Sequence, residues 1–137
     1  MKNKVLVIAL ALVLVFSCTA AAFADSGIQP YETGSVTFNI SRTSGTTANA
    51  SVIIEFTGTA DEYSVVVYLQ KLVNNTWKND STNPEYVFYN NGTNDDSFLF
   101  SHQYTHLTYG TSYRLMIVSR DKRGSNEYRS TFYSNLF

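Results

Sequence analysis

The sequence predicts an all-β domain, an antiparallel sandwich of seven to eight short strands, and three observations carry that expectation. Apolar residues alternate with polar ones at a period of two, not at the helical period of about 3.6. Turn signals recur roughly every ten residues, a spacing that marks sandwiches more often than other all-β architectures. The chain holds 10 Tyr and 9 Phe but only 2 Pro, at Pro30 and Pro84, a composition that favours strands over helices.

Taken in order, Val36, Phe38 and Ile40 alternate with Thr37 and Asn39 in a first strand. After the Gly45-Thr46-Thr47 loop, Val52, Ile54 and Phe56 alternate with Ser51, Ile53 and Glu55 in a second. Residues 63–71 are apolar on both faces, as a central strand requires. Asn74-Asn75 tolerate the positive φ angles of a tight hairpin, which predicts a short partner strand at Thr76-Trp77-Lys78. Residues 86–89 and 98–104 flank Asn90-Asn91-Gly92-Thr93, where Asn-Gly predicts another hairpin. Residues 113–119 and 128–133 flank a polar loop at 120–127 that contains Gly124, and they close the series.

One stretch carries a resemblance. Leu107-Thr108-Tyr109-Gly110-Thr111-Ser112-Tyr113-Arg114-Leu115-Met116-Ile117 resembles the corner of fibronectin type III domains, where Leu, Pro-Gly-Thr and Tyr lead into an alternating apolar strand. The resemblance implies an immunoglobulin-like fold in which Leu107 and Tyr113 form a structural corner, the tyrosine hydroxyl bonding to backbone a few residues upstream. It also implies that Leu115 and Ile117 face the core while Met116 faces outward. Tyr109 stands where that family has proline, and Ile54 or Phe56 where it commonly has tryptophan. The chain is also similar to small exported bacterial Tyr-rich β proteins of unassigned activity.

The first 24 residues set the expected compartment. Lys2 and Lys4 precede an apolar run at 5–16, and Ala22-Phe23-Ala24 supplies the small-x-small pattern of a signal-peptidase site. The domains expected are therefore a signal peptide at 1–24, an N-terminal extension at 25–34 and a β-sandwich at 35–137, secreted with Asp25 first. Cys18, preceded by Val15-Phe16-Ser17, offers an alternative as a lipidated surface anchor. Residues 5–24 would also about span a bilayer, but no basic stop-transfer cluster follows them.

Removing 24 of 137 residues leaves 113, room for one domain with its own core. Lys+Arg falls from 10 by Lys2 and Lys4 to 8, against 11 acids, a net charge of −3. That balance argues against nucleic acid, or the membrane once the leader is gone, as partner. The single cysteine, Cys18, leaves with the leader, so packing alone must hold the exported domain.

No G-x-S-x-G, G-x-G-x-x-G, P-loop or H-E-x-x-H pattern occurs, so no enzyme is expected, nor any cofactor or metal. His102 and His106 are four apart, which on a strand is about 13 Å and too far to share an ion. In a sandwich of this kind, loops carrying Asp61 and Glu62, Asp95 and Asp96, and Asp121 gather at one pole. With Asn90, Asn91 and Asn94 they offer oxygens for a hard cation such as calcium, although turn chemistry alone also accounts for them. Lys122-Arg123-Gly124-Ser125 lies where some fibronectin modules carry Arg-Gly-Asp, but Ser125 replaces the acid. Trp77, Tyr68, Tyr86, Tyr89, Tyr128 and Tyr133 are the candidates for an aromatic outer face, with core-edge packing as the plainer alternative. The reading is a secreted non-enzymatic binding module for an extracellular protein or carbohydrate. A small toxin or bacteriocin-like factor is the alternative.

Overall fold

The structure, a computed structural model, describes residues 33–137. The leader, Cys18 and most of the expected extension lie outside the described residues. Six strands follow in order: β1 (Thr33–Ser44), β2 (Thr47–Val73), β3 (Thr76–Asn79), β4 (Tyr86–Tyr104), β5 (Tyr113–Arg123) and β6 (Asn126–Tyr133). All pairings are antiparallel. The sheet order is β1-β2-β5-β6, with β3 and β4 also paired to β2.

The strands expected at 51–56 and 63–71 are a single element, β2, because the chain turns the corner between them without leaving the sheet. Its ladder shifts register between Glu55, Ala60 and Glu62. Gly58 sits there at φ 101, a left-handed conformation that disfavours a side chain. A Cβ at Gly58 would also lie 2.9 Å from Arg123 Nη1. The buried set changes parity across the bend, from Ala48, Ala50, Val52, Ile54 and Phe56 to Tyr63, Val65, Val67 and Leu69. On a straight strand Phe56 and Tyr63 would be about 23 Å apart; here their ring centroids are 5.3 Å apart.

β4 makes the same turn. The expected Asn90-Asn91-Gly92 hairpin is not formed: 86–91 pairs with the second half of β2 and 95–104 with the first, never with each other. The local Asn-Gly signal yields to the two ladders, which hold β4 against a bent partner along both halves. Phe88 and Phe98, about 33 Å apart on a straight strand, bring their ring centroids to 5.1 Å. The result is one hydrogen-bonded sheet bent sharply on itself, not two discrete sheets built from seven or eight separate strands. Its inner faces bury a common core drawn from β2, β4 and β5.

Elsewhere local chemistry prevails. Asn74 and Asn75 take φ 50 and 59, and the hairpin they make pairs Leu72 with Trp77. Leu115 and Ile117 are fully buried, while Met116 is outward and half-buried. The Thr108 N–H donates to the Tyr113 hydroxyl at 2.9 Å, and the buried Leu107 donates its N–H to Thr46 O at 3.0 Å. The polar loop expected at 120–127 shortens to a turn at Gly124-Ser125, because β5 and β6 pair as far as Arg123 and Asn126.

Candidate functional site

Because β2 is central in its second half, it presents Glu62, Ser64, Val66 and Tyr68 outward between two neighbours. Cross-strand partners extend each position into a row. Val87, Val66, Val118 and Thr131 form one; Tyr68, Met116 and Tyr133 form the next; Tyr89, Ser64, Arg120 and Arg129 lie on the other side of the valines. Val87 is 66% exposed, Tyr89 63% and Tyr133 51%. An apolar and aromatic band therefore crosses four strands, exposed at Val87, Tyr89 and Tyr133 and half-buried at Val66, Tyr68, Met116 and Val118.

One end of the band is rigidly built. The Arg114 guanidinium lies 4.3 Å from the Trp77 ring centroid and 4.2 Å from that of Tyr133. Its Nε donates to Gln70 Oε1 at 2.9 Å, which fixes the plane of the stack. The other end is polar. Glu62 pairs with Lys122 at 3.3 Å and accepts from the Tyr89 hydroxyl at 3.3 Å, and Glu127 pairs with Arg120 at 2.6 Å. The hydrogen bond from Arg120 holds the Glu127 carboxyl below its usual range. Between these pairs lies a groove of about 180 Å³ lined by Glu62, Ser64, Tyr89, Arg120, Lys122 and Glu127. That is smaller than small-molecule sites, typically about 300 to 1,000 Å³, and suits an inserted side chain.

Of the aromatic candidates, Trp77, Tyr68, Tyr89 and Tyr133 share this face, but Tyr86 and Tyr128 do not. Tyr86 packs against Phe100 and gives or takes a 2.8 Å hydrogen bond with His102 Nε2; burial pushes the His102 imidazole pKa down. Tyr128 pairs with Asp121 on the opposite side of β6. Beyond His102 the buried Tyr104 hydroxyl finds no hydrogen-bond partner among the described residues, and burial pushes its pKa up.

The acidic candidates come near one another but are already engaged. The Gly124 N–H donates to Asp61 Oδ2 at 2.7 Å. Asp121 is 1% exposed, inward on β5 and not in a solvent loop, with its Oδ2 3.4 Å from Arg123 Nε. Arg123 in turn donates to the carbonyls of Thr57 and Gly58, tying the β5–β6 turn to the β2 bend. Asp95 accepts from Asn90 Nδ2 at 2.7 Å and pairs with Ala60 in the ladder; Asp96 accepts from Ser97 Oγ at 3.3 Å. Among the described residues no three of His, Cys, Asp and Glu are grouped to hold a metal. Asp61 and Asp121 thus help tie the β2 bend to the β5–β6 turn.

The residues of this face that sequence reasoning missed are Val66, Val87 and Val118, together with Arg114, Arg120 and Arg129; Met116 is outward, as the resemblance implies. Period-two alternation assigns them all to one face but does not say that the face stays uncovered. No family model matches the chain, and no curated protein matches it.

Proposed function

We propose that the protein is a secreted, non-enzymatic binding module that recognises a protein partner through the outer face of β3, the start of β4, the second half of β2, β5 and β6. The carrying observation is the exposed band itself. Its content of Tyr, Trp, Met and Arg is what distinguishes the centres of protein interfaces from ordinary surface. Exposed valines point the same way, since a glycan site needs polar groups around its aromatic rings. A fibronectin type III-like sandwich is the finer reading of the fold. It is supported by the division of pairing into β1, β2 and late β4 on one side of the bends and β3, early β4, β2, β5 and β6 on the other, and by the Thr108–Tyr113 bond.

Two expected results test this. Mass spectrometry of the exported product should give Asp25 as the first residue; a diacylglycerol-modified Cys18 at the N-terminus would overturn plain secretion. For the face, Val87→Ser combined with Tyr89→Ala should weaken capture of the native partner about tenfold or more, the scale of losing interface anchors. Both side chains are exposed, so stability should change by no more than about 0.5 kcal/mol. Ile53→Ser with Leu99→Ser, exposed on the outer side of the first half of β2 and the second half of β4, should leave capture unchanged. Loss of capture from that second pair alone would place the site elsewhere.

A further inference from the structure

We infer that the occupant of this face is an acidic polypeptide segment of a different protein, one that sets apolar side chains on the valine and tyrosine rows and carboxylates against the cationic ends. The inference rests on the proposed binding role of the face and adds the chemistry of the partner. At the cross-strand paired positions of the face, Arg114, Arg120, Lys122 and Arg129 stand against Glu62 and Glu127, four cations to two carboxylates, with the exposed Glu85 at the edge just before β4. The exported chain is net negative, so this surplus is local and opposite in sign to the whole.

Its placement also leaves room for an anionic partner. Arg120 and Arg129 are direct cross-strand neighbours, and like charges opposite one another destabilise a sheet. Glu127 takes its one hydrogen bond from Arg120 and is also attracted by the Arg129 charge, but the Arg129 guanidinium makes no hydrogen bond or ion pair of its own among the described residues. An acidic group held beside the two arginines would offset the charge that Glu127 leaves unbalanced. The row from Tyr89 to Arg129 crosses three strand spacings, roughly 14 Å, so one short segment can cover the tyrosine and reach both arginines.

The same charge disfavours a second copy. Two such faces docked on each other would set four cations against four, with the carboxylates outnumbered on both sides of the contact. The aliphatic centre, Val66, Val87, Val118 and Met116, disfavours a saccharide, because those side chains offer a sugar hydroxyl no partner.

The test is selection from a display library of random peptides against the immobilised exported protein, followed by synthesis of the enriched peptides. Enriched sequences should place Asp or Glu beside aliphatic or aromatic residues. Arg120→Glu with Arg129→Glu should weaken their binding about tenfold or more, and raising the salt should weaken binding to the native protein. Peptides lost to Val87→Ser with Tyr89→Ala but indifferent to the arginine reversals would overturn the acidic partner and leave the face as the site. Peptides indifferent to both pairs would overturn the face as well. Enrichment of neutral or basic sequences, no enrichment at all, or a dimer in solution that Val87→Ser with Tyr89→Ala makes monomeric, would each overturn the inference.

Discussion

Leu115→Ala should lower the free energy of unfolding by about 2 to 5 kcal/mol, because a fully buried leucine near the start of β5 leaves a cavity its neighbours cannot fill. Leu115 sits inside the core with Val67, Leu69 and Ile117, and its own N–H is held by the Ser134 hydroxyl at 2.8 Å, so the backbone has little freedom to collapse inward. Met116→Ala, one residue on, should cost much less, since that side chain covers the outer face. Tyr113→Phe should cost about 0.5 to 1.5 kcal/mol, the ordinary value of the single hydrogen bond it makes with the Thr108 N–H. Denaturant midpoints of the three variants measure the order. A larger loss for Met116 than for Leu115 would mean that the strand faces the other way, and would remove the basis for the corner as well as for the outer face.

Asp80→Ala should be the most damaging polar substitution, costing about 2 to 4 kcal/mol. Asp80 is 3% exposed in the connection between β3 and β4. It receives Lys71 Nζ at 3.0 Å, the Thr82 N–H at 3.3 Å and Asn83 Nδ2 at 2.9 Å, while its own N–H binds Leu69 O at 2.8 Å. The connection carries no apolar anchor, so this carboxylate is what brings β3 and the start of β4 to the same edge of β2. Burial by itself would raise its pKa, but the bonds from Asn83, Lys71 and Thr82 outweigh burial and hold it below the usual 3.8. A depressed carboxyl contributes its full stability above the unfolded value and loses it as pH falls through the folded one. The gap between wild type and Asp80→Ala in urea should therefore be constant from neutral pH down to about 4 and narrow below that. A gap that widened on acidification would contradict the assignment.

These two sites differ in how visible they are beforehand. Leu115 and Ile117 are inward because alternation on β5 is strict, and a one-residue slip would expose the whole set. Nothing in the sequence around Asp80 distinguishes a buried carboxylate from a turn residue, since Asp-Ser-Thr-Asn-Pro is common turn chemistry. Its burial depends on Lys71, nine positions away, and on Asn83 also donating to Thr105 O at 3.1 Å. Asp121 shows the same difference: expected in a solvent loop, it is buried because β5 continues further than its polar sequence suggests.

The sequence by itself determined the all-β antiparallel class, the Asn74-Asn75 hairpin and the inward register of β5, but not which of its candidate aromatics face outward. Each follows from interactions between residues close in the chain: side chains alternating across a pleat, or an asparagine accepting a positive φ. The tertiary structure alone decided that β2 and β4 pass through their bends as continuous strands, overriding the Asn-Gly signal, since the ladders between them gain more hydrogen bonds than a local turn would. It alone engaged Asp61 and Asp121 at the bend and stacked Arg114 between Trp77 and Tyr133. It also left the valine and tyrosine rows open to solvent. Whether an alternating strand hides both faces or only one depends on what packs over it, and that is set by distant parts of the chain.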